Sequence, residues 1–414
     1  MQIASYALLF AGMIGHVALW ISLFNRNHAL GLPRGVIQTT EKIHVGIAVG
    51  ILVYWGCRLI FLGMPDHPVA ALFSERLLEA VYFFVSCGVL VYVTVTWLYR
   101  RLTDAPTTSL LQTSTVVHDV RMATDEPLVC GLLATALSVV PRNEMTRLSV
   151  TAKSLALASL DSRLENLTIA HLSDLHFTGK LTRAYFDFVI DRVNEMQADV
   201  VIITGDIVDT DECIAWIPET LGRLQARCGK FFILGNHDKR VTDVPALRRT
   251  IADCGFIDLG SRCEHVTIDG CEVLLAGTER PWFGAPPDVP PRSVSREGTP
   301  ILRILLSHSP DQIPWARRHD FDLMLAGHTH GGQIRLPIIG PIVAPSHFGV
   351  KYASGVFYES PTLVHVSRGV SGLDPIRINC PPEVTKITLR AAIPSKETQK
   401  DRRAERLVFA EQVC

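Results

Sequence analysis

Histidine, aspartate and asparagine recur at five points between residues 173 and 332 of this 414-residue chain, each time directly after an apolar run. The five stretches are SDLH (173–176), GDIVD (205–209), GNHD (235–238), SHSPD (307–311) and GHTHGG (327–332). Carboxylate and amide oxygens mixed with imidazoles suit manganese, iron or zinc better than calcium or a sulphur-seeking metal. Brought together, these side chains would form a metal site.

The apolar runs that precede these stretches have the composition of buried β-strands. In open α/β sheets, ligands collect in the crevice beyond the carboxyl ends of the strands. Five strand ends would therefore bring seven candidate metal ligands to one edge: Asp174, His176, Asp206, Asn236, His308, His328 and His330.

Seven ligands exceed the ordinary coordination of one ion, but they suit two ions that share one carboxylate. Paired ions of this kind lie about 3.5–4 Å apart and serve in-line displacement at phosphorus. The predicted cofactor is therefore a pair of divalent ions, with manganese favoured and iron or zinc as alternatives.

The motifs D-x-H, G-D, G-N-H-D, an isolated histidine and G-H-T-H occur in this order and resemble the calcineurin-like metallophosphoesterase superfamily. The segment VSRGVSGLDPIRI (366–378) resembles one in the membrane-associated bacterial branch of that family. The resemblance covers residues 165–392. It implies that one ion is held by Asp174, His176, Asp206 and His330. It implies that the second ion is held by Asp206, Asn236, His308 and His328, with Asp206 as the bridge.

The resemblance also implies the catalytic residues. His237 in GNHD matches a histidine that contacts the phosphate and protonates the leaving oxygen, while Asp238 orients it. The attacking group would be a hydroxide that bridges the two ions. A histidine, with an ordinary pKa of about 6.5, is suited to this proton transfer.

Local spacing makes further predictions. His328 and His330 are expected on one face of a strand, one for each ion. Gly331 and Gly332 would let the chain turn sharply and keep side chains away from the substrate. His171 falls on the face opposite Asp174 by alternation, which predicts a buried structural role.

The elements that must position these residues begin near residue 160. Apolar strands first alternate with helical segments, and short strands then predominate. This order predicts an α/β fold of two sheets packed face to face with helices outside. The resemblance implies the metallophosphoesterase four-layer α/β/β/α sandwich. The Pro- and Ser-rich stretch 281–300 predicts a surface loop or lid.

Three long apolar runs, at 3–24, 43–63 and 77–99, precede this region. Each has about the 20 residues that a helix needs to cross a bilayer, which predicts three transmembrane helices. Four arginines flank the same ends of these runs: Arg26, Arg34, Arg100 and Arg101. The positive-inside bias therefore predicts a multi-pass membrane protein whose catalytic domain lies in the cytoplasm.

The run at 127–140 is short for a span and is predicted to be an interfacial or re-entrant helix. If it crossed the bilayer, the catalytic domain would face the outside. The predicted organisation is a membrane domain at 1–101, a linker at 102–160, a metallophosphoesterase domain at 161–393 and a charged tail at 394–414.

The composition excludes some classes of protein. The chain has 40 Lys and Arg against 41 Asp and Glu, a formal net charge of −1, so it lacks the basic excess of a nucleic-acid-binding protein. Its ten cysteines have no regular spacing, which predicts reduced thiols rather than a disulfide framework.

Arg368 and Arg377 have two interpretations, either contact with a phosphate or a place on the surface.

The predicted function is hydrolysis of a phosphate ester or pyrophosphate bond by a membrane-anchored, dinuclear-metal phosphoesterase. One lipid-linked substrate of the branch it resembles is UDP-2,3-diacylglucosamine, a choice that rests on analogy. A soluble phosphodiester or phosphomonoester is the alternative substrate. A different class of function is a catalytically inactive scaffold with the same fold.

Overall fold

The computed structural model describes residues 2–103, 107–294 and 298–392, and the predicted tail at 394–414 lies outside the described residues. The chain divides into two compact units. Of the described residues, 2–103 and 335–353 form the helical unit, and 107–294, 298–334 and 354–392 form the α/β unit.

The α-helices of the described residues are α1 Gln2–Asn27, α2 Arg34–Phe61, α3 Pro68–Phe73, α4 Leu77–Thr103, α5 Leu132–Ser138, α6 Arg183–Glu195, α7 Val244–Asp253 and α8 Ile313–Arg318. Short 3₁₀ helices lie at His28–Leu30, Val120–Met122, Ser162–Leu164, Asp211–Trp216, Leu221–Arg223, His237–Arg240, Pro310–Gln312 and His330–Gly332.

The strands of the same residues are β1 Leu110–Asp119, β2 Arg147–Leu157, β3 Thr168–Leu172, β4 Val200–Thr204, β5 Gly229–Ile233, β6 Phe256–Asp258, β7 Cys263–Ile268, β8 Cys271–Thr278, β9 Leu302–Ser307, β10 Leu323–Ala326, β11 Arg335–Leu336, β12 Gly340–Pro341, β13 Gly355–Glu359, β14 Thr362–Val366 and β15 Glu383–Ala391.

The helical unit contains the three predicted spans. Within the described residues, α1 with its 3₁₀ extension, α2 and α4 are the helices long and apolar enough to cross a membrane by length and composition. A polar contact joins all three helices, because the ring of His16 bonds the Tyr82 hydroxyl at 2.6 Å and the Ala48 carbonyl at 2.9 Å. Such bonds fix helix pairs where water is absent.

The α/β unit contains a seven-stranded sheet of order β1-β2-β15-β3-β4-β5-β6 and a six-stranded sheet of order β13-β14-β10-β9-β8-β7. In the first sheet, β3, β4, β5 and β6 are parallel. In the second, β8, β9, β10 and β14 are parallel. The carboxyl ends of each parallel set therefore lie at one edge of its sheet.

Alternating side chains divide the interior of this unit into two cores. In β4, Val200 and Ile202 belong to the core between the sheets, while Val201 and Ile203 belong to the core beneath α6 and α7. A strand buried on both faces must be apolar throughout, as β4 is. With α8 packed beside β14 on the second sheet, the predicted α/β class with two facing sheets is confirmed.

The interval 102–160, expected as a linker, differs from that prediction. It contributes β1 and β2 to the seven-stranded sheet, where β2 pairs with β1 on one side and β15 on the other. These residues are sheet rather than linker because β15, which follows them by more than two hundred residues, supplies the partner that completes their hydrogen bonds.

The short apolar run at 127–140 forms only the seven-residue helix α5. A helix of this length spans about 10 Å, a third of the hydrocarbon core of a bilayer. The alternative in which this run crosses the membrane therefore does not hold. Its Leu132, Leu133 and Val139 are exposed, and the interfacial placement stays a prediction.

Candidate metal centre

The loops after five strands converge on one site, and their backbone is unusual. Five of the predicted ligands have positive φ angles, namely Asp174 (52°), His176 (47°), Asp206 (54°), His328 (71°) and His330 (50°). Residues other than glycine seldom adopt positive φ angles, and those that do cluster at functional sites.

The prediction that His328 and His330 share a strand face is wrong. Strand β10 ends at Ala326, and both histidines lie in the turn beyond it. A turn can aim two ring nitrogens at separate points, whereas a strand would hold them parallel. Gly331 and Gly332 have φ angles of 65° and 82°, as expected of glycines that allow a sharp turn.

One group of ligand atoms comes from Asp174, His176, Asp206 and His330, all within 4.8 Å of one another. The Nε2 atoms of His176 and His330 face each other at 3.2 Å. His176 Nε2 lies 3.6 Å from Asp206 Oδ2, and His330 Nε2 lies 3.6 Å from Asp174 Oδ1. This is the set that the resemblance assigns to the first ion.

A second group comes from Asp206, His308 and His328, again within 4.8 Å. His308 Nε2 lies 3.2 Å from Asp206 Oδ2 and 3.1 Å from Asn236 Oδ1. Asp206 thus belongs to both groups, which is the position expected of a carboxylate that bridges two ions.

Hydrogen bonds at the far side of each ring orient the imidazoles. Nδ1 of His176 meets Asp209 Oδ2 at 2.7 Å, Nδ1 of His308 meets the Thr204 carbonyl at 2.7 Å, and Nδ1 of His330 meets the Ser371 carbonyl at 3.1 Å. Because Nδ1 is the donor in each case, the Nε2 lone pair is directed into the site, as in metal-binding histidines.

Two buried polar atoms support the presence of cations. Asp206 Oδ2 and His328 Nε2 are buried and have no hydrogen-bond partner in the described structure. A buried acceptor without a partner is costly, and a cation between the two would satisfy both. The residues present therefore fit a pair of divalent ions.

The pKa shifts agree with this fit. Burial, reinforced by neighbouring His308, holds the pKa of His328 well below its ordinary value, so the ring stays neutral and keeps its lone pair. Burial also lowers the pKa of His308, but Asp206 and Asp174 outweigh it and raise this pKa to about 9. The centre thus has a strongly negative local potential, which favours a cation.

Close backbone approach brings these loops together. A Cβ atom on Gly235 would lie 2.2 Å from Asp206 Oδ1, a distance no side chain can adopt. The same carboxylate oxygen accepts a 2.7 Å hydrogen bond from the backbone N–H of His237. Glycine at 235 is therefore required for the GNHD loop to hold the shared carboxylate.

The predicted role of Asp238 in orienting His237 needs correction. Asp238 accepts hydrogen bonds from the backbone N–H groups of Ile207, Val208 and Gly235, so it braces two ligand loops. The carboxylate that meets the His237 ring is Asp209, whose Oδ1 lies 2.6 Å from Nδ1.

Asp209 was not singled out from the sequence, although it ends the GDIVD stretch. Its side chain is buried and accepts hydrogen bonds from His176, His237 and Arg240. The cationic Arg240 also lies 3.3 Å from His237 Nε2. Both residues are therefore candidates for the site that sequence reasoning missed.

The predicted loop or lid at 281–300 contributes an aromatic wall. The ring of Trp282 lies 5.3 Å from that of His308 and 4.7 Å from that of His328, measured between centroids. Trp282 is buried, so this end of the loop covers the second group of ligands.

A line of buried polar side chains lies behind the site. Lys153 Nζ is 2.9 Å from His365 Nε2, and Nδ1 of His365 is 2.9 Å from Nδ1 of His171. His171 Nε2 then meets Thr204 Oγ1 at 2.9 Å. An ammonium can only donate, so Lys153 donates to His365, His365 donates to His171, and His171 donates to the Thr204 hydroxyl. The backbone carbonyl of Thr204 accepts from Nδ1 of His308. The predicted structural role of His171 is confirmed.

The surface position predicted for Arg377 is wrong, whereas contact of the partly exposed Arg368 with a phosphate stays a prediction. Arg377 is fully buried and donates to the carbonyls of His330, Arg368 and Ser371, which fixes the loop of a predicted ligand. Arg368 pairs with buried Glu383 at 3.1 Å.

Comparisons with known proteins agree with the chemistry of the site. The family model for calcineurin-like phosphoesterases matches residues 167–332. The chain is 31% identical over 233 residues to the uncharacterized metallophosphoesterase YkuE of Bacillus subtilis (strain 168), an alignment that covers 55% of this chain and 80% of that protein.

Two further relatives are similar. Phosphodiesterase YaeI of Escherichia coli (strain K12) is 30% identical over 225 residues, covering 53% of this chain and 81% of that protein. A transmembrane protein with metallophosphoesterase domain from Danio rerio is 31% identical over 250 residues, covering 56% of this chain and 55% of that protein.

Proposed function

Because this chain belongs to the calcineurin-like metallophosphoesterase family, as its motifs predicted, we propose that it is a membrane-anchored enzyme that hydrolyses a phosphoester or pyrophosphate bond in a substrate at the bilayer surface. The family and its phosphodiesterase relative show that it is a metal-dependent phosphoester hydrolase.

The single observation that carries the proposal is the shared carboxylate. Asp206 lies between two groups of imidazoles, and its Oδ2 is buried without a hydrogen-bond partner among the described residues. In the proposal, Asp174, His176, Asp206 and His330 hold one divalent ion, and Asp206, Asn236, His308 and His328 hold the other. When bound, such ions acidify water and neutralise charge that develops on the phosphoryl oxygens.

We assign the proton transfer to His237. Its Nδ1 is held by Asp209, so its Nε2 is the atom that would donate a proton to the leaving oxygen. Burial lowers the pKa of His237, and the charges of Asp206 and Asp209 counteract this effect. Arg240 beside Nε2 is suited to bind a phosphoryl oxygen of the substrate.

The position of the substrate follows from the anchor. Three helices apolar enough to cross a membrane, together with the similarity to a transmembrane protein that has a metallophosphoesterase domain, support a membrane protein. A hydrolase tethered to a bilayer meets lipids at high local concentration, which favours a lipid-linked phosphodiester or pyrophosphate. The arginine distribution favours the cytoplasmic side.

The test uses the full chain in detergent, stripped of metal with a chelator and reloaded with Mn²⁺. We expect Mn²⁺-dependent hydrolysis of bis(4-nitrophenyl) phosphate and of at least one member of a panel of phospholipids and nucleotide-sugar lipids. His237→Asn should lower kcat by about 10²–10⁴-fold while bound metal is unchanged.

Two results would overturn parts of the proposal. Full turnover by His237→Asn would remove this residue from the proton transfer. A chain that binds two ions yet hydrolyses none of these substrates would favour the inactive scaffold.

A further inference from the structure

The hairpin of β11 and β12, residues 335–341, exposes an apolar tip that the proposed chemistry does not use. Ile338 and Ile339 at the tip are 78% and 53% exposed, and Leu336 beside them is exposed as well. Turns of hairpins in water favour Gly, Asn or Asp. Ile338 even has a φ of 69°, which a β-branched residue rarely adopts. A strained backbone at an exposed apolar residue indicates that the side chain of Ile338 makes a functional contact.

Hydrogen bonds fix this hairpin to the ends of two apolar helices within the helical unit. Near the end of α1, buried Asn25 donates to the Ile342 carbonyl at 3.1 Å and accepts from the Ala344 N–H at 3.0 Å. Near the end of α4, Trp97 donates to the Ile339 carbonyl at 3.1 Å and Arg101 to the Ile338 carbonyl at 3.2 Å.

These helix ends have the composition of a membrane–water interface. Trp97 is amphipathic, and arginines lie at the same ends: Arg26, Arg34, Arg100 and Arg101. Trp and basic residues anchor helices at the level of the lipid headgroups, and the basic charge attracts anionic lipids. The lipid-facing surface continues on α4, where Leu98 and Leu102 are exposed. The apolar tip is thus continuous with the surface expected to meet lipid.

We propose that the hairpin tip, Ile338 and Ile339, inserts into the interface of an anionic bilayer and guides lipid-borne phosphoesters to the metal centre. Only Gln333 and Ile334 separate Gly332 of the ligand loop from Arg335 of the hairpin. The ligand loop and the hairpin are therefore joined by only two residues of chain. This inference rests on the membrane anchoring in the proposed function.

Insertion is tested without any catalytic readout. Full-length Ile338→Trp and Val116→Trp variants are reconstituted into phosphatidylglycerol–phosphatidylethanolamine vesicles, with and without lipids brominated near the headgroup end of the acyl chain. Val116 is a matched control because it is 58% exposed on β1 of the α/β unit. After subtraction of the signal of the unsubstituted chain, the fluorescence of the tryptophan at 338 should be blue-shifted, and brominated lipids should quench it. The fluorescence of the tryptophan at 116 should persist in brominated vesicles. Unquenched emission at 338 would overturn the proposal.

Delivery of substrate is tested by a double substitution, Ile338→Asp with Ile339→Asp, against Val116→Asp. For a phosphodiester lipid in vesicles, kcat/KM should fall roughly tenfold in the double variant because apolar contact with the bilayer is lost. Hydrolysis of bis(4-nitrophenyl) phosphate should be unchanged in both. An equal loss on both substrates, or none on the lipid, would overturn guidance of lipid. If the unsubstituted chain hydrolysed neither substrate, the proposed function would fail while the quenching result still decided insertion.

Discussion

Asp209 connects a predicted metal ligand to the proposed acid. One of its oxygens accepts from Nδ1 of His176 at 2.7 Å, and the other accepts from Nδ1 of His237 at 2.6 Å and from Arg240 at 2.7 Å. Burial raises the pKa of Asp209, but the two histidines outweigh burial and keep it ionised. One carboxylate therefore sets the tautomer and direction of both rings.

Asp209→Asn should lower kcat by about 10–100-fold, the usual cost of losing a group that orients a metal-binding or catalytic histidine. The Asp209 charge raises the pKa of His237, so its removal lowers that pKa further and reduces the protonated fraction at neutral pH. We therefore expect the alkaline limb of the kcat–pH profile to move to lower pH. Asp187→Asn, which alters a partly exposed carboxylate paired with Arg223, is the control. A profile that does not move would mean that His237 is not the acid.

The shared carboxylate also depends on a position without a side chain. Gly235→Ala would place a Cβ atom 2.2 Å from Asp206 Oδ1, and neither backbone nor a buried ligand can retreat without moving the loop. We expect loss of bound Mn²⁺, measured by atomic emission, together with loss of turnover. Gly222→Ala is the matched control, since its Cβ would meet Cys254 Sγ at an ordinary 3.5 Å. Normal metal content in Gly235→Ala would contradict the assigned geometry.

Residue types and spacing predicted the seven side chains that the structure brings together, because each follows an apolar strand whose end is easily recognised. They did not single out Asp209, since nothing in GDIVD shows that two histidines from other loops converge on it. Trp282 was missed because no periodicity in a Pro-rich stretch predicts contact with His308 and His328.

At the scale of elements, buried charges join the two sheets. Lys153 on β2 pairs with Glu383 on β15 at 3.2 Å and bonds His365 on β14 at 2.9 Å. Burial disfavours the charged form of Glu383, but Lys153 and Arg368 outweigh it and hold its pKa well below the ordinary value of 4.5. Ionised Glu383 therefore stabilises the folded state.

Glu383→Gln should lower the free energy of unfolding by about 3–5 kcal/mol at pH 7, because it leaves Lys153 buried without its countercharge. A folded-state pKa below the unfolded one gives stabilisation that is complete above pH 4.5 and is lost as pH falls towards the folded value. The difference in the free energy of unfolding between the variant and the original chain should therefore become smaller below pH 4.5. Denaturant unfolding in detergent, followed by tryptophan fluorescence, measures it.

Glu272→Gln, at an exposed position on β8, provides the control for the loss of one carboxylate. A difference that stayed constant between pH 7 and pH 3 would mean that the charge of Glu383 does not stabilise the fold.

The order of elements was predictable where neighbours in sequence are neighbours in space. The succession β3-α6-β4 and then β5 and β6 gives parallel strands with recognisable ends. The place of β1 and β2 was not predictable, because β2 pairs with β15 and no local pattern reports a partner so distant in the chain. The hairpin of β11 and β12 was not predictable from the sequence, because its strands have only two residues each.

At the scale of the whole molecule, the long helices differ in charge between their two ends. One end has four arginines, Arg26, Arg34, Arg100 and Arg101. At the other end Arg58 and Arg76 both pair with Glu79, at 3.5 Å and 2.9 Å. The positive-inside rule counts Lys and Arg in short loops, so the end with four arginines is expected in the cytoplasm.

The final prediction concerns orientation. With α1, α2 and α4 as the candidate spans and α5 too short to cross, we expect the chain after α4 to lie on the side of Arg100 and Arg101. An external protease should therefore cleave the α/β unit in inside-out vesicles and leave it intact in spheroplasts. A protease site inserted at 62–67, between α2 and α3, should show the opposite pattern and serves as the control. Cleavage of the α/β unit in intact spheroplasts would place its substrate outside the cytoplasm, and the four arginines would then not determine the topology.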